Sequence, residues 1–125
     1  MIYGIGTDIV DTDRVRRLME RYGERFARRI LTSLEWERFQ RARRPVAFLA
    51  LRFAAKEAFS KAMGTGFRAP VLPSRISVLQ DRLGKPGFAF HETLEAYMRE
   101  RGIVGHHLTL TDEARLACAV VVLER

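Results

Sequence analysis

The sequence predicts a single α+β domain over residues 1–125, with a mainly antiparallel sheet of about five strands against one long helix and several shorter ones. Three observations support this fold class. A strand-like run opens the chain, an apolar helical stripe occupies its middle, and two apolar strands joined by a turn close it. At 125 residues and 47% hydrophobic content, the chain is long enough to bury one core.

Residues 2–10 predict the first strand, in which Gly4, Gly6 and Asp8 point to the same face. Two glycines weaken a strand and indicate close approach by a backbone or a ligand. An acid on that face is costly unless it is paired or bound to a cation. The alternative is that Asp8 caps the next helix, a role for which three later residues are better placed, namely Asp11, Thr12 and Asp13.

Helices follow the first strand. Their first inner stripe is predicted to contain Val15, Leu18, Met19 and Tyr22. The pattern Thr32-Ser33-Leu34-Glu35 is a capping box that opens a short helix ending before Arg44-Pro45.

The long helix is predicted from about Val46 to Met63. Its apolar stripe for the core consists of Phe48, Leu51, Ala55, Ala58, Phe59 and Ala62. On a separate arc lie Glu57, Lys61 and Gly64, with Ser60 and Lys56 beside them. This face suits a metal ion and a phosphorylated ligand, or it is a solvated face with a Glu57–Lys61 ion pair and a glycine C-cap.

The remaining elements are shorter. In order, the sequence predicts a strand around 75–80, a turn over 81–87, a strand over 88–90, a helix over 92–101 closed by Gly102, and a hairpin of strands 107–111 and 115–123 around a turn at 111–114.

Asp8 and Glu57 together form a pair of hard oxygen ligands, which is typical of Mg²⁺ sites that also use water and substrate phosphates. Zinc is disfavoured because Cys118 is the only cysteine and no histidine pair has ligand spacing. Cys118 lies in an apolar run and is expected to be an inert core thiol.

The net charge of +7 is concentrated in one segment. Residues 14–44 contain eleven arginines, no lysine and four glutamates, so this segment alone carries the excess. The outward positions are predicted to be Arg14, Arg17, Arg21, Arg25 and Arg28. Such a surface attracts an acidic partner, either a protein or a nucleic acid. Nucleic acid is disfavoured because the segment has no recognisable binding motif and its aromatic residues fit helical core spacing.

No stretch approaches the length of apolar sequence that a membrane span needs, and no signal-peptide pattern opens the chain. We therefore expect a cytoplasmic protein with no membrane partner.

Two sequence blocks resemble the holo-acyl-carrier-protein synthases, the small bacterial 4′-phosphopantetheinyl transferases. The first block is Gly4-Ile5-Gly6-Thr7-Asp8-Ile9-Val10. The second is Arg52-Phe53-Ala54-Ala55-Lys56-Glu57-Ala58, followed by Lys61 and Gly64-Thr65-Gly66. The resemblance extends to Gly84-Lys85-Pro86 and to the final apolar strand, so it covers nearly the whole chain.

The resemblance implies a Mg²⁺-dependent transfer of 4′-phosphopantetheine from coenzyme A to a serine of apo acyl carrier protein, in fatty acid biosynthesis. Adenosine 3′,5′-bisphosphate is the leaving group. By the same resemblance, Asp8 and Glu57 hold the metal and Lys61 contacts the phosphate under attack. The positions that match the coenzyme A site are Arg52, Lys61, Gly64, Thr65, Gly66, Lys85 and Pro86.

The resemblance also supplies the acidic partner, because acyl carrier proteins are strongly acidic, and it implies a homotrimer with active sites between neighbouring subunits. One departure from the family concerns Asp112, which stands where a histidine is common. The serine proton then needs another acceptor, and the candidates are Glu57, Asp112 or a water held by the metal. Asp112 is alternatively a plain turn residue.

Two other functions remain compatible with the residues alone. One is a Mg²⁺-dependent enzyme on a different nucleotide or diphosphate substrate. The other is a non-catalytic basic module that binds an acidic protein or nucleic acid through residues 14–44.

Overall fold

The computed structural model describes residues 1–125 and contains five strands and five α-helices. In chain order the elements are β1 Ile2–Asp11, α1 Thr12–Tyr22, α2 Glu24–Ile30, α3 Ser33–Arg41, α4 Pro45–Met63, a 3₁₀ turn Pro73–Arg75, β2 Ile76–Gln80, β3 Pro86–Phe90, α5 Glu92–Glu100, β4 Gly105–Glu113 and β5 Leu116–Glu124. None of the helices combines the length and the hydropathy that crossing a bilayer requires.

The five strands form two antiparallel sheets, whereas the sequence predicted one. The larger sheet has the order β1-β5-β4, and β2 pairs only with β3. The separation has a packing reason. Phe88 and Phe90 of β3 contact the rings of Phe59 and His106, so the hairpin meets β4 through aromatic side chains rather than through hydrogen bonds.

Helix α4 packs closely against β1. A Cβ atom built on Gly4 would lie 1.9 Å from the carbonyl oxygen of Ala62, and one on Gly6 would lie 1.9 Å from that of Ala58. Only glycine permits this approach, because any side chain would overlap the helix backbone. The two glycines therefore serve the contact between strand and helix. The apolar side of α4 is fully buried, as predicted, at Ala55, Ala58 and Phe59.

The basic segment forms three helices. Gly23, with a φ of 61°, separates α1 from α2, a backbone angle that glycine adopts without strain. The predicted capping box is confirmed, since both the Thr32 and the Glu35 side chains make the capping hydrogen bonds of α3. Helix α4 begins at Pro45, one residue earlier than predicted, because proline fits the first helical position.

The terminal hairpin is longer than predicted, because β4 starts at Gly105 and continues to Glu113. The turn is reduced to Ala114 and Arg115, where Ala114 has a φ of 52°. The face of the larger sheet opposite α4 is open. Ile2, Ile5 and Ile9 are 56%, 60% and 64% exposed on it.

Candidate functional site

Asp8 lies on the inward face of β1, on the same side as the buried Gly6 and Val10. The side chain is 17% exposed. Its strand partner is Ala119 of β5, which has no group that could balance the charge. A carboxylate at this position needs a cation from another element.

Helix α4 supplies that cation. The Lys61 ammonium donates hydrogen bonds to Asp8 Oδ1 at 3.1 Å and to the Thr7 carbonyl at 3.0 Å. Lys61 remains 54% exposed, so its ammonium is still open to a ligand. Glu57 lies one helical turn earlier on the same face of α4.

Asp8, Glu57 and Lys61 line one cavity of about 560 Å³. Polar residues at its edge are Asp11 and Arg14, and the apolar part of the lining consists of Ile9, Val10, Val15, Leu18, Phe26 and Phe53. Residues from β1, α1, α2 and α4 therefore meet at this cavity, in which Asp8 and Lys61 are 53 positions apart in the sequence.

The electrostatics of the cavity centre on Glu57. Partial burial raises the pKa of Glu57 above its ordinary value, and the negative charge of Asp8 raises it further. Lys61 and Arg14 oppose this shift. Two carboxylates that repel each other in a partly desolvated cavity are stabilised by a bound cation. As hard oxygen ligands beside an open lysine, Asp8 and Glu57 fit a Mg²⁺ ion that shares its ligand shell with a phosphate.

Two residues predicted beside Glu57 face the core instead. Lys56 and Ser60 are 0% and 1% exposed, so the interpretation of this helix face as one continuous ligand surface was wrong. Lys56 forms an ion pair with the buried Glu35, at 2.6 Å. Burial lowers the pKa of Lys56 to about 8, and the Glu35 carboxylate opposes the shift.

Arg52 has protein partners in the structure. Its guanidinium is 2% exposed, stacks on the Phe48 ring at 3.8 Å, and contacts the Val78 carbonyl at 3.4 Å. The Arg52 Nε is 4.0 Å from a Glu35 oxygen. The geometry therefore gives no support for the predicted coenzyme A contact of Arg52, which lies outside the cavity.

The loop after α4 contains Gly64, in the left-handed region with a φ of 78°, followed by Thr65 and Gly66. The three backbone N–H groups of these residues donate to the carbonyl oxygens of Ser60 and Lys61. These three N–H groups form the predicted glycine C-cap of the helix and are therefore not free to bind an anion. The predicted contacts of this loop with coenzyme A stay a prediction.

Three further predicted residues lie away from the cavity within one chain. Lys85 ends the β2–β3 turn and Pro86 begins β3, where both line a separate shallow depression. Asp112 is near the end of β4 and forms a long ion pair with Arg44, at 3.8 Å. A single subunit does not bring these three residues to Asp8 and Glu57.

The predicted basic surface exists on α1 and α2. The five arginines are all exposed, namely Arg14, Arg17, Arg21, Arg25 and Arg28. Arg14 also lines the cavity, so this surface continues to the rim of the site. Arg28 is partly engaged, because it stacks over the Trp36 ring at 3.9 Å.

Sequence reasoning missed Phe26 and Phe53 as lining residues, because their spacing indicates only a core position. It also missed the burial of Glu35. The capping box accounted for the local role of Glu35 and gave no reason to expect a second partner.

The model of the 4′-phosphopantetheinyl transferase superfamily matches residues 4–120. This match covers both sequence blocks and every element from β1 to most of β5. The chain therefore belongs to the 4′-phosphopantetheinyl transferase superfamily.

Curated relatives narrow this assignment. The holo-[acyl-carrier-protein] synthases of Nitrosospira multiformis and Nitrosomonas eutropha are 57% and 58% identical to the chain, over the full length of both partners. Within the superfamily, the chain thus falls among the holo-[acyl-carrier-protein] synthases.

Solved structures agree. The holo-[acyl-carrier-protein] synthase of Neisseria meningitidis is 48% identical, covers 100% of both chains and superposes with a TM-score of 0.98. The enzyme of Bacillus anthracis, in complex with coenzyme A (3′,5′-ADP), is 35% identical with a TM-score of 0.83 and covers 98% of this chain and 96% of its own.

Proposed function

We propose that the chain transfers 4′-phosphopantetheine from coenzyme A to a serine hydroxyl of apo acyl carrier protein and releases adenosine 3′,5′-bisphosphate. The observation that carries this proposal is the shared cavity of Asp8, Glu57 and Lys61 in a chain whose full-length relatives are named for this activity. We place the reaction in the cytoplasm, in fatty acid biosynthesis.

Asp8 on β1 and Glu57 on α4 would each supply carboxylate oxygen ligands to Mg²⁺. When bound, the ion would supply a Lewis acid that neutralises charge on the pyrophosphate and on the leaving group. Within the chain, Lys61 holds an ammonium at the exposed rim of the same cavity. It can transfer its hydrogen bonds from Asp8 to a phosphoryl oxygen, and it thereby orients the group under attack.

The serine proton needs an acceptor near the cavity. Glu57 is the candidate within the cavity of the same chain, acting through a water that its carboxylate would hold. Asp112 lies outside the cavity of its own chain, so a role for it requires a neighbouring copy.

We further propose that the chain assembles as a homotrimer through the open face of the larger sheet. Ile2, Ile5 and Ile9 expose apolar side chains there, an arrangement that favours burial by another subunit. In such an assembly a second copy can bring Lys85, Pro86 or Asp112 to the cavity. Sedimentation should show a species of three chains, and a fully active monomer would contradict this proposal.

The acidic carrier would bind the arginine surface of α1 and α2, which reaches the cavity rim at Arg14. Opposite charge steers the carrier toward the site and aligns its serine with the cavity.

The test is direct. The chain is incubated with coenzyme A, Mg²⁺ and apo acyl carrier protein, and the carrier is then weighed by mass spectrometry. An increase by one phosphopantetheine is the expected result. An unchanged mass, with a carrier that another synthase can modify, would favour a different diphosphate substrate or a purely binding role.

A further inference from the structure

Lys56 has an unusual position for a lysine. Its side chain is 0% exposed, and its ammonium donates to three acceptors on three different elements. These are the carbonyl oxygen of Ile30 at the end of α2, the Glu35 carboxylate in α3 at 2.6 Å, and the Pro73 carbonyl before β2 at 3.1 Å. A lysine ammonium has three N–H groups, so every donor is used.

Glu35 extends this network by two further hydrogen bonds. Its Oε1 also accepts the backbone N–H of Thr32 at 2.9 Å, and its Oε2 accepts the N–H of Val78 at 2.8 Å. Arg52 approaches the same carboxylate to 4.0 Å. The pair therefore links α4, α2, α3 and β2 through directional bonds.

Stability alone does not explain such a pair. Taking two charges out of water is costly, and apolar residues of similar volume often stabilise a core equally well or better. An apolar pair cannot, however, bond to the carbonyl oxygens of Ile30 and Pro73 and so fix the distance between these elements.

Two of the elements that Lys56 joins, α2 and α4, also line the cavity. Lys56 directly precedes Glu57, and Ile30 ends the helix that places Phe26 in the cavity wall and Arg25 on the basic surface. We infer that Lys56, with Glu35, is a positioning pair that fixes the carrier-binding surface of α2 relative to Glu57 and Lys61. This inference rests on the proposed function.

The first test is the double variant Lys56→Met with Glu35→Leu, which removes both charges at similar volume. If the melting temperature of the double variant is close to that of the unaltered chain, its KM for the carrier should be about tenfold higher, equivalent to about 1.4 kcal/mol. The KM for coenzyme A should stay within about twofold, since an uncoupled α2 affects carrier docking first. Ser60→Ala is the matched control. Ser60 is equally buried on α4 but bonds only within its own helix, so both KM values should stay unchanged.

A second readout does not depend on activity. Trp36 is the only tryptophan, and it lies in α3 beneath the guanidinium of Arg28 from α2. Its fluorescence, together with hydrogen exchange over residues 24–41, reports how firmly α2 and α3 are held. The double variant should show faster exchange over α2 and a changed Trp36 emission, whereas Ser60→Ala should show neither.

An equal KM for the carrier in the double variant and the unaltered chain, with unchanged exchange, would overturn the inference. If the double variant does not fold, Lys56→Gln with Glu35→Gln replaces it, because this neutral pair keeps part of the hydrogen bonding and leaves no unpaired charge at either position. The same split between the two KM values and the same faster exchange are then expected. If the unaltered chain transfers nothing, the proposed function fails, and the exchange over α2 alone decides the role of Lys56.

Discussion

Asp8 and Glu57 form a small acidic site whose charges are only partly balanced by protein. Lys61 is bonded to Asp8, and Arg14 acts from the rim, yet the pKa of Glu57 remains raised. The ionised form of Glu57 is therefore held at a cost in the folded chain. Function, rather than stability, accounts for two carboxylates in this cavity.

Neutral variants of these two residues test that account. Asp8→Asn and Glu57→Gln keep the side-chain size, and each should lower the transfer rate by about 10²–10³ or more, as loss of a preorganised charge-stabilising group does. The melting temperature of Glu57→Gln should be unchanged or higher, because loss of its charge relieves the repulsion with Asp8. Steady-state kinetics measure the transfer rate, and thermal denaturation measures the melting temperature. Glu100→Gln, on the exposed end of α5, is the control and should keep normal turnover. Near-normal turnover in either site variant would contradict the assignment.

His106 provides a test through pH. Burial lowers its pKa below the ordinary 6.5, the neighbouring His107 lowers it further, and Glu95 opposes the shift. The unfolded chain therefore binds a proton at this residue more readily than the folded chain, so acidification through and below about pH 6.5 favours unfolding. Between pH 7.5 and pH 5, the melting temperature of the unaltered chain should fall more than that of His106→Gln. If the melting temperatures of the two chains fall equally with pH, protonation of His106 is not linked to unfolding.

At the scale of elements, the contact between β1 and α4 decides where the site residues lie. Gly4 and Gly6 allow the strand and the helix to approach until their backbones touch. This approach brings Asp8 within hydrogen-bonding distance of Lys61. Strand and helix each contribute part of the site, and neither part is sufficient alone.

Gly6→Ala should disturb both stability and activity. The new methyl group would overlap the Ala58 carbonyl, and relief of such overpacking typically costs about 1–3 kcal/mol in the free energy of unfolding. Because the helix must move away, the bond between Asp8 and Lys61 lengthens and turnover falls. Chemical denaturation and kinetics measure these effects. Gly87→Ala is the control for stability, since a Cβ there meets nothing within 4 Å. A variant as stable and active as the unaltered chain would mean that the close contact is not required.

The sequence predicted most elements to within one or two residues, because periodicity and caps are local signals. It did not predict the burial of Lys56 and Ser60. A helical projection gives the angle between residues, but it does not show which angles the rest of the fold will cover. Lys56 is buried because Glu35, 21 positions earlier, folds against it. The division into two sheets also depends on contacts between distant residues. Phe88 and Phe90 pack their rings against Phe59 only in the folded chain.

The candidate site was predictable to a similar extent. Local patterns singled out the helix face of Glu57 and Lys61 and the odd position of Asp8, and the resemblance implied that the three residues form one site. Asp112, Lys85 and Pro86 were placed at the site by resemblance alone, and one chain keeps them apart from it. Contacts between subunits leave no periodic signal in a sequence.

At the scale of the whole molecule, the net charge of +7 is carried by residues 14–44, which include the exposed arginines of α1 and α2. Reversal of two of these exposed charges, Arg17→Glu with Arg21→Glu, should raise the KM for the carrier about tenfold or more, since like charges now face each other. Added salt should weaken binding less in the variant than in the unaltered chain. The KM for coenzyme A should not change. Arg99→Glu, exposed on α5, is the control, and an equal effect there would indicate a general influence of net charge.

The central claim is that Asp8 and Glu57 bind one divalent cation, which in turn coordinates the pyrophosphate of coenzyme A. Crystals grown with coenzyme A and Mn²⁺, which substitutes for Mg²⁺ and scatters anomalously, test it most directly. We expect one anomalous peak, within about 2–2.5 Å of a carboxylate oxygen of Asp8, a carboxylate oxygen of Glu57 and a pyrophosphate oxygen. A peak elsewhere in the molecule, or bound coenzyme A whose pyrophosphate avoids both carboxylates, would contradict it.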